Sequence, residues 1–174
     1  MRLVRMTRMT RITRMTAAAW VVMVMGVVVT PQARNGQVPA ASAVATSFDP
    51  KADPAKDLAK AVDDATRTHR RIILDVGGEW CSWCHTLDRF YDAHENLTAL
   101  RDKNYVWLKI NFSPDNKNTA FLSKYPAISG YPHLFVLEHD GTLLQSQDTS
   151  PLEEGRSYNL DRTIAFLQKW APAK

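Results

Sequence analysis

Two cysteines are all the chain has, Cys81 and Cys84. A fold stapled by several disulfides is therefore excluded, and the body must rely on an ordinary hydrophobic core. Methionine is missing beyond Met25: all six, at positions 1, 6, 9, 15, 23 and 25, precede the body of the protein. Acid is absent before Asp49, while Arg2, Arg5, Arg8, Arg11 and Arg14 crowd the first 16 residues. Taking away residues 1–33 removes five of the 22 basic residues and none of the 18 acidic ones, which turns a formal charge of +4 into −1. A body so near neutral has no basic footprint for nucleic acid, and no such partner is expected. Long apolar runs are missing too. The run Ala17 to Val29 has 13 residues. As a helix it rises about 20 Å, short of the roughly 30 Å hydrocarbon core of a bilayer.

What the first residues do have is an order: a cationic stretch, a short apolar run, the break Thr30-Pro31, then small residues. That order matches a secretory signal. Cleavage is placed after Ala33, with Ala41-Ser42-Ala43 as the alternative site. An uncleaved anchor is the weaker reading. The repeat Arg-Met-Thr, Arg-Met-Thr, Arg-Ile-Thr, Arg-Met-Thr from Arg5 to Thr16 reads as low complexity, or as a start placed ahead of Met9 or Met15. Arg and Thr without acid also fit an organelle transit peptide, against which the compact apolar run counts. The expected organisation is a signal peptide over 1–33, a flexible tether over 34–52 rich in Ala, Ser, Pro and Gly, and one domain over 53–174. The expected location is periplasmic or secreted.

Periodicity supplies the elements. Asp53-Pro54 is an N-cap followed by Pro at the first helical position, and Leu58, Ala59, Val62 and Ala65 predict a helix over 54–68. Ile72 to Val76, ended by Gly77-Gly78, predicts a buried strand. A helix starts at Cys81 with Trp83, Leu87, Phe90, Tyr91 and His94 at helical spacing, and Asn96 caps a second piece to about Asp102. Tyr105 to Asn111 alternates as a strand, with Val106, Leu108 and Ile110 on one face. Residues 116–125 predict a helix, with Phe121 and Leu122 inward and Pro126 as its stop. Strands follow at 133–138 and 142–147 around the turn Asp140-Gly141, then a loop over 148–159 and a helix over 160–170. A strand–helix–strand crossover implies parallel neighbours and the hairpin adds antiparallel ones. The fold class is α/β, a mixed sheet with helices on both faces.

The chemistry sits in Trp80-Cys81-Ser82-Trp83-Cys84-His85. A two-residue spacer at a helix start brings two sulfurs within disulfide range. Free N–H groups and the positive dipole end favour a thiolate on the first of them. Cys81 is thus the expected nucleophile with a lowered pKa, and Cys84 the thiol that resolves the mixed disulfide. Trp80 is expected to pack beside the sulfurs, and Trp83 to meet substrate or to join the core. His85 either stabilises the thiolate or sits on the helix surface. Phe121, Trp107 and Trp170 read as core, Glu79 as solvated, and His133 and His139 as having no catalytic part.

The stretch from about residue 70 to 170 resembles the thioredoxin superfamily, through Trp-Cys-x-x-Cys at a strand-to-helix junction, Asp75 six residues before Cys81, and Tyr131-Pro132 before a strand. The closer resemblance is to exported thioredoxin-like domains, including the C-terminal domain of bacterial transmembrane disulfide reductases. The resemblance implies a thioredoxin fold and a redox disulfide between Cys81 and Cys84. It implies a buried Asp75 that takes or gives the proton of Cys84. It also implies a cis Pro132 against the disulfide, with Tyr131 offering its backbone to an extended substrate. Ser-Trp as the spacer, Gly77-Gly78 in place of an aromatic and a small residue, and the bulky Tyr131 depart from the family pattern.

Rival readings fare worse. Cys-x-x-Cys-His is also a haem attachment signature, but a body without Met offers no axial thioether, and His69, His94, His133 and His139 form no recognisable second ligand. Zinc on Cys81, Cys84 and His85 lacks a fourth ligand. An inert disulfide over so small a loop removes little unfolded-state entropy. A copper-binding or chaperone-like module remains the alternative from another class. The expectation is an exported thiol–disulfide oxidoreductase with no cofactor and no metal. It would act as a monomer on protein dithiols or disulfides, with a membrane-bound thiol redox partner.

Overall fold

The computed structural model describes residues 46–173. The signal peptide expected over 1–33 and the expected tether up to residue 45 lie outside the described residues.

Local chemistry sets the first helix, α1 (Pro54–Thr68). The Asp53 carboxylate accepts from the N–H groups of Ala55 and Lys56 at 3.1 and 3.2 Å. His69 closes it in the left-handed region at φ 55°. Then come β1 (Arg71–Gly77), α2 (Ser82–Asp92), α3 (Glu95–Asn104) and β2 (Tyr105–Asn111). The later elements are α4 (Thr119–Leu122), β3 (His133–Leu137), β4 (Leu143–Asp148), β5 (Glu153–Glu154), β6 (Ser157–Tyr158) and α5 (Leu160–Lys169).

The main sheet has the order β2-β1-β3-β4. β1 runs parallel to β2 and antiparallel to β3, and β3 is antiparallel to β4. Alternation along the strands sorts the core into two layers. Ile72, Leu74, Val76, Val106, Leu108, Ile110, Phe135 and Leu137 meet Ala61 and Ala65 of α1 and Phe121 of α4. Ile73, Leu134 and Val136 face the other way, onto Leu87 and Phe90 of α2, Leu97 of α3 and Phe166 and Leu167 of α5. The sheet is mixed and covered on both faces.

Three expectations need correction. The helix expected over 116–125 is reduced to the single turn of α4. Asn118 sits at φ 46°. Its N–H is taken by the Asn116 carboxamide at 2.9 Å, and its own Nδ2 donates to the Asn111 carbonyl at 2.7 Å. These side-chain bonds offer the backbone an alternative to helix, and they win. The second helical piece after α2 is capped at His94, not Asn96. The end of the supposed tether is also ordered: Asp49 and its neighbours form a turn, and Phe48 is 2% exposed. The segment over 148–159 is a loop holding a single 3-10 turn at Ser150–Leu152 and the small β5–β6 ribbon.

Candidate functional site

β1 delivers the chain to the start of α2, and the two cysteines stand at that junction. Cys81 is the N-cap of α2, and its sulfur accepts the Cys84 N–H at 3.1 Å. Cys81 and Cys84 are joined by a disulfide with a Cα–Cα distance of 5.2 Å. Cys81 is 4% exposed and Cys84 1%, so what access the pair has is at Cys81.

Beneath the pair lies charge. Asp75 is 1% exposed on β1, on the same face as Gly77 because residues two apart on a strand share a face. A side chain on Gly77 would point at the Cys84 sulfur, only 2.4 Å from where its Cβ would stand. The Asp75 side chain therefore starts about 7 Å down the strand from that spot, on the face of the sheet that carries Cys84. Its Oδ2 accepts from Trp107 Nε1 at 3.2 Å and faces Lys109 Nζ at 3.7 Å. Its Oδ1 is buried without a partner. Burial pushes the Asp75 carboxyl up to about 6, against the pull of Lys109. Lys109 is itself gripped from α2 by both oxygens of Asp88, at 2.6 and 2.7 Å.

Around the disulfide is an aromatic rim. Trp80 is 53% exposed. It meets Tyr131 edge-on at 5.5 Å between ring centroids, and Tyr131 stacks on Phe112 at 4.8 Å. Trp80 Nε1 donates to the Phe112 carbonyl at 2.6 Å. Trp83 follows the core alternative read for it: it is half-buried against the disulfide cluster and meets Tyr158 edge-on at 5.6 Å. The placement of Trp80 follows from Gly78, whose missing side chain leaves the space that the indole fills on its way to Phe112. The Tyr131–Pro132 peptide bond is cis, and the Pro132 carbonyl accepts from the Thr149 hydroxyl at 2.9 Å. His85 turns to Glu79, with Nε2 at 2.9 Å from its carbonyl oxygen. Among the described residues, no three His, Cys, Asp or Glu side chains gather to hold a metal ion.

Cys81, Cys84, Trp83 and Tyr131 thus come together, with Asp75 beneath and Trp80 at the rim, while Pro132 is buried next to Tyr131 in the chain. Missed from sequence were Lys109, Asp88, Phe48 and Phe112, and Trp107 reaches beyond the core role read for it. Lys109 was legible in one respect: a lysine at an inward position of a strand, level with Asp75 in a parallel pair, has to be neutralised. The close approach at Gly77 carries a prediction. Gly77→Ala forces a methyl against the Cys84 sulfur, 3.1 Å from the Phe48 ring. The oxidised protein is expected to lose about 1–3 kcal/mol of stability in urea unfolding. An unchanged midpoint would mean that the sulfur gives way freely.

Comparison with known proteins agrees with the geometry. Residues 53–138 match a family model described as thioredoxin-like. A protein disulfide-isomerase of Hordeum vulgare is 26% identical over 107 residues, 62% of this chain but only 20% of that protein's length. Among solved structures, a disulphide isomerase from Xylella fastidiosa Temecula1 superposes with a TM-score of 0.61 and 27% identity, over 70% of this chain and 94% of that one. The oxidised DsbD C-terminal domain of Neisseria meningitidis gives a TM-score of 0.50 at 19% identity, over 68% of this chain and 97% of that one. The chain has the thioredoxin fold, residues 53–138 of it match the thioredoxin-like model, and its Cys-x-x-Cys pair stands at the start of α2.

Proposed function

We propose that this chain is an exported protein thiol–disulfide oxidoreductase. The observation that carries the reading is the Cys81–Cys84 pair at the N-terminus of α2, set above a buried carboxyl held up at about 6. In the reducing direction the Cys81 thiolate attacks a substrate disulfide. One substrate sulfur bonds to Cys81, and the other leaves as a thiolate that takes a proton from solvent. The Cys84 thiol then gives its proton to Asp75, whose unpartnered Oδ1 is the acceptor, and attacks the Cys81 sulfur. The Cys81–Cys84 bond forms, the bond to substrate breaks, the second substrate sulfur leaves as a thiolate that takes up a proton, and two electrons have passed to the substrate. Run backward, the same steps oxidise a dithiol.

The exposed Trp80, with Tyr131 and Phe112 behind it, is a ready apolar rest for an unfolded or extended protein segment. Such a segment would pass over Tyr131 and the backbone beside Pro132, while Trp83 packs against the disulfide. The Xylella relative, a disulphide isomerase by name and alike over nearly its full length, supports the same class of chemistry. The cationic and apolar leader supports export. An exported protein is cut off from cytosolic reductants, so its electrons pass through another dithiol protein, placed in the membrane.

Equilibration of the purified protein with glutathione buffers tests this. A two-electron exchange is expected, with a midpoint near about −270 mV for a reductant or about −120 mV for an oxidant. Absence of exchange at every poise would overturn the reading.

A further inference from the structure

One side chain reaches the site from outside the expected domain boundary. Phe48 precedes α1 by six residues and packs directly on Cys81 and Cys84. Its ring carbons lie 3.1 and 3.3 Å from where a Cβ of Gly77 would stand, so it occupies the space that the glycine leaves open. Its face lies under Lys109, whose Nζ is 4.2 Å from the ring centroid. The segment that carries it is fastened at a second place. Asp49 closes a turn onto the Lys51 N–H at 2.8 Å, and Asn116 Nδ2 donates to the Pro50 carbonyl at 2.8 Å.

We propose that Phe48 is a positioning residue of the redox site: its ring closes the compartment of Cys84, Asp75 and Lys109 to bulk water. The inference rests on the redox reading above. The physical ground is that Lys109 has three N–H donors to place. Asp88 and Asp75 take one side of the ammonium and the Phe48 ring covers another, a contact that favours a desolvated cation. Without the ring, water reaches the orphan Oδ1 of Asp75 and more of Lys109, whose side chain is now 9% exposed. The titratable and polar groups that act on Asp75 are Lys109 and Trp107 from β2, Asp88 and Tyr91 from α2, and Tyr158 from β6; Cys84 packs against Gly77 on the same face of β1, and the partner on β3 is the apolar Leu134. Desolvation is the largest influence on this carboxyl and outweighs the pull of Lys109. Opening the compartment therefore lowers its titration midpoint even though it also weakens the hold on the lysine.

The test is the Asp75 carboxyl titration followed by carbon-13 NMR in the oxidised full-length chain, where no thiol titrates. The wild type is expected to show a midpoint near 6. In Phe48→Ala it falls by about one pH unit, and in Phe48→Leu, which keeps most of the apolar volume, by a small fraction of that. Should Phe48→Ala fail to fold by circular dichroism, Phe48→Val takes its place, and the midpoints must fall in the order Phe, Leu, Val. A folded truncation with the wild-type midpoint overturns the proposal, and so does a Leu variant shifted as far as Ala. Glutathione exchange by the wild type is measured alongside. Its absence defeats the redox reading, whereas normal exchange with an unmoved carboxyl defeats only the role of Phe48.

Discussion

A Cys84→Ser variant is expected to complete the first half of the reaction and stop. Cys81 keeps its place as N-cap of α2, where the backbone N–H of residue 84 reaches its sulfur at 3.1 Å, and that bond does not need the Cys84 side chain. Attack on a substrate disulfide therefore continues. The second thiol is gone, so the bond between Cys81 and substrate is never displaced from within. Turnover should fall by on the order of a thousandfold or more, the scale of losing one member of a unit that acts together. A covalent complex should accumulate, visible on a non-reducing gel and released by dithiothreitol. Cys81→Ser, by contrast, should lose turnover to the same extent and trap nothing. Equal trapping by both variants would show that the two sulfurs are interchangeable and would defeat the assigned order of attack. The burial difference argues against that outcome, because Cys84 is pressed between Gly77 and Phe48 while Cys81 borders the exposed Trp80.

Whether a feature could be read from the sequence depends on how far apart in the chain its causes lie. The bounds of α1 follow from Asp53, Pro54 and the apolar spacing, all within one short stretch, and the helix runs as expected over 54–68. β2 is equally local: Val106, Leu108 and Ile110 alternate and share the layer they were assigned to. The cysteine pair and its helix start are a single six-residue motif. What escaped is non-local. Lys109 gains meaning only through the parallel register that sets it level with Asp75, and Asp88 only through the pitch of α2 above that strand. Phe48 stands alone in a stretch of small residues with no period to betray it, and its target is a glycine 29 positions on. Which of Trp80 and Trp83 stands outward was hidden for a similar reason. Both are plausible neighbours of the sulfurs by spacing, but a carbonyl 32 residues away, at Phe112, holds the first of them at the surface. α4 failed differently: its pattern suited a helix, and three asparagine side chains diverted the backbone.

Asp75→Asn should make the oxidised protein more stable and the site slower, and pH separates the two effects. The Asp75 carboxyl rises from an ordinary 3.8 to about 6 in the fold, chiefly through burial. A carboxyl that binds its proton more tightly when folded adds stability as pH falls through 6 toward 4, and withdraws it as pH rises. Below about 4 both states carry the proton and the group is silent. Above 6 the folded protein holds a charge in a site that resists it, at a cost that linkage sets at about 3 kcal/mol at most. Asparagine removes that charge and keeps an oxygen for Trp107 Nε1, while Lys109 retains both oxygens of Asp88. Its new N–H groups lack an obvious acceptor, which takes back part of the gain. The expected result in urea unfolding is a variant about 1–3 kcal/mol more stable at pH 8, with the difference shrinking toward zero near pH 4. Over the same range the variant has no group to accept the Cys84 proton. Resolution of the mixed disulfide at pH 7 should then slow by about 100-fold or more, the usual scale for a lost general base. A stability difference that is flat with pH would mean the carboxyl does not titrate near 6. An unchanged resolution rate would mean that water alone takes the proton, leaving Asp75 as a cost to folding with no return in catalysis.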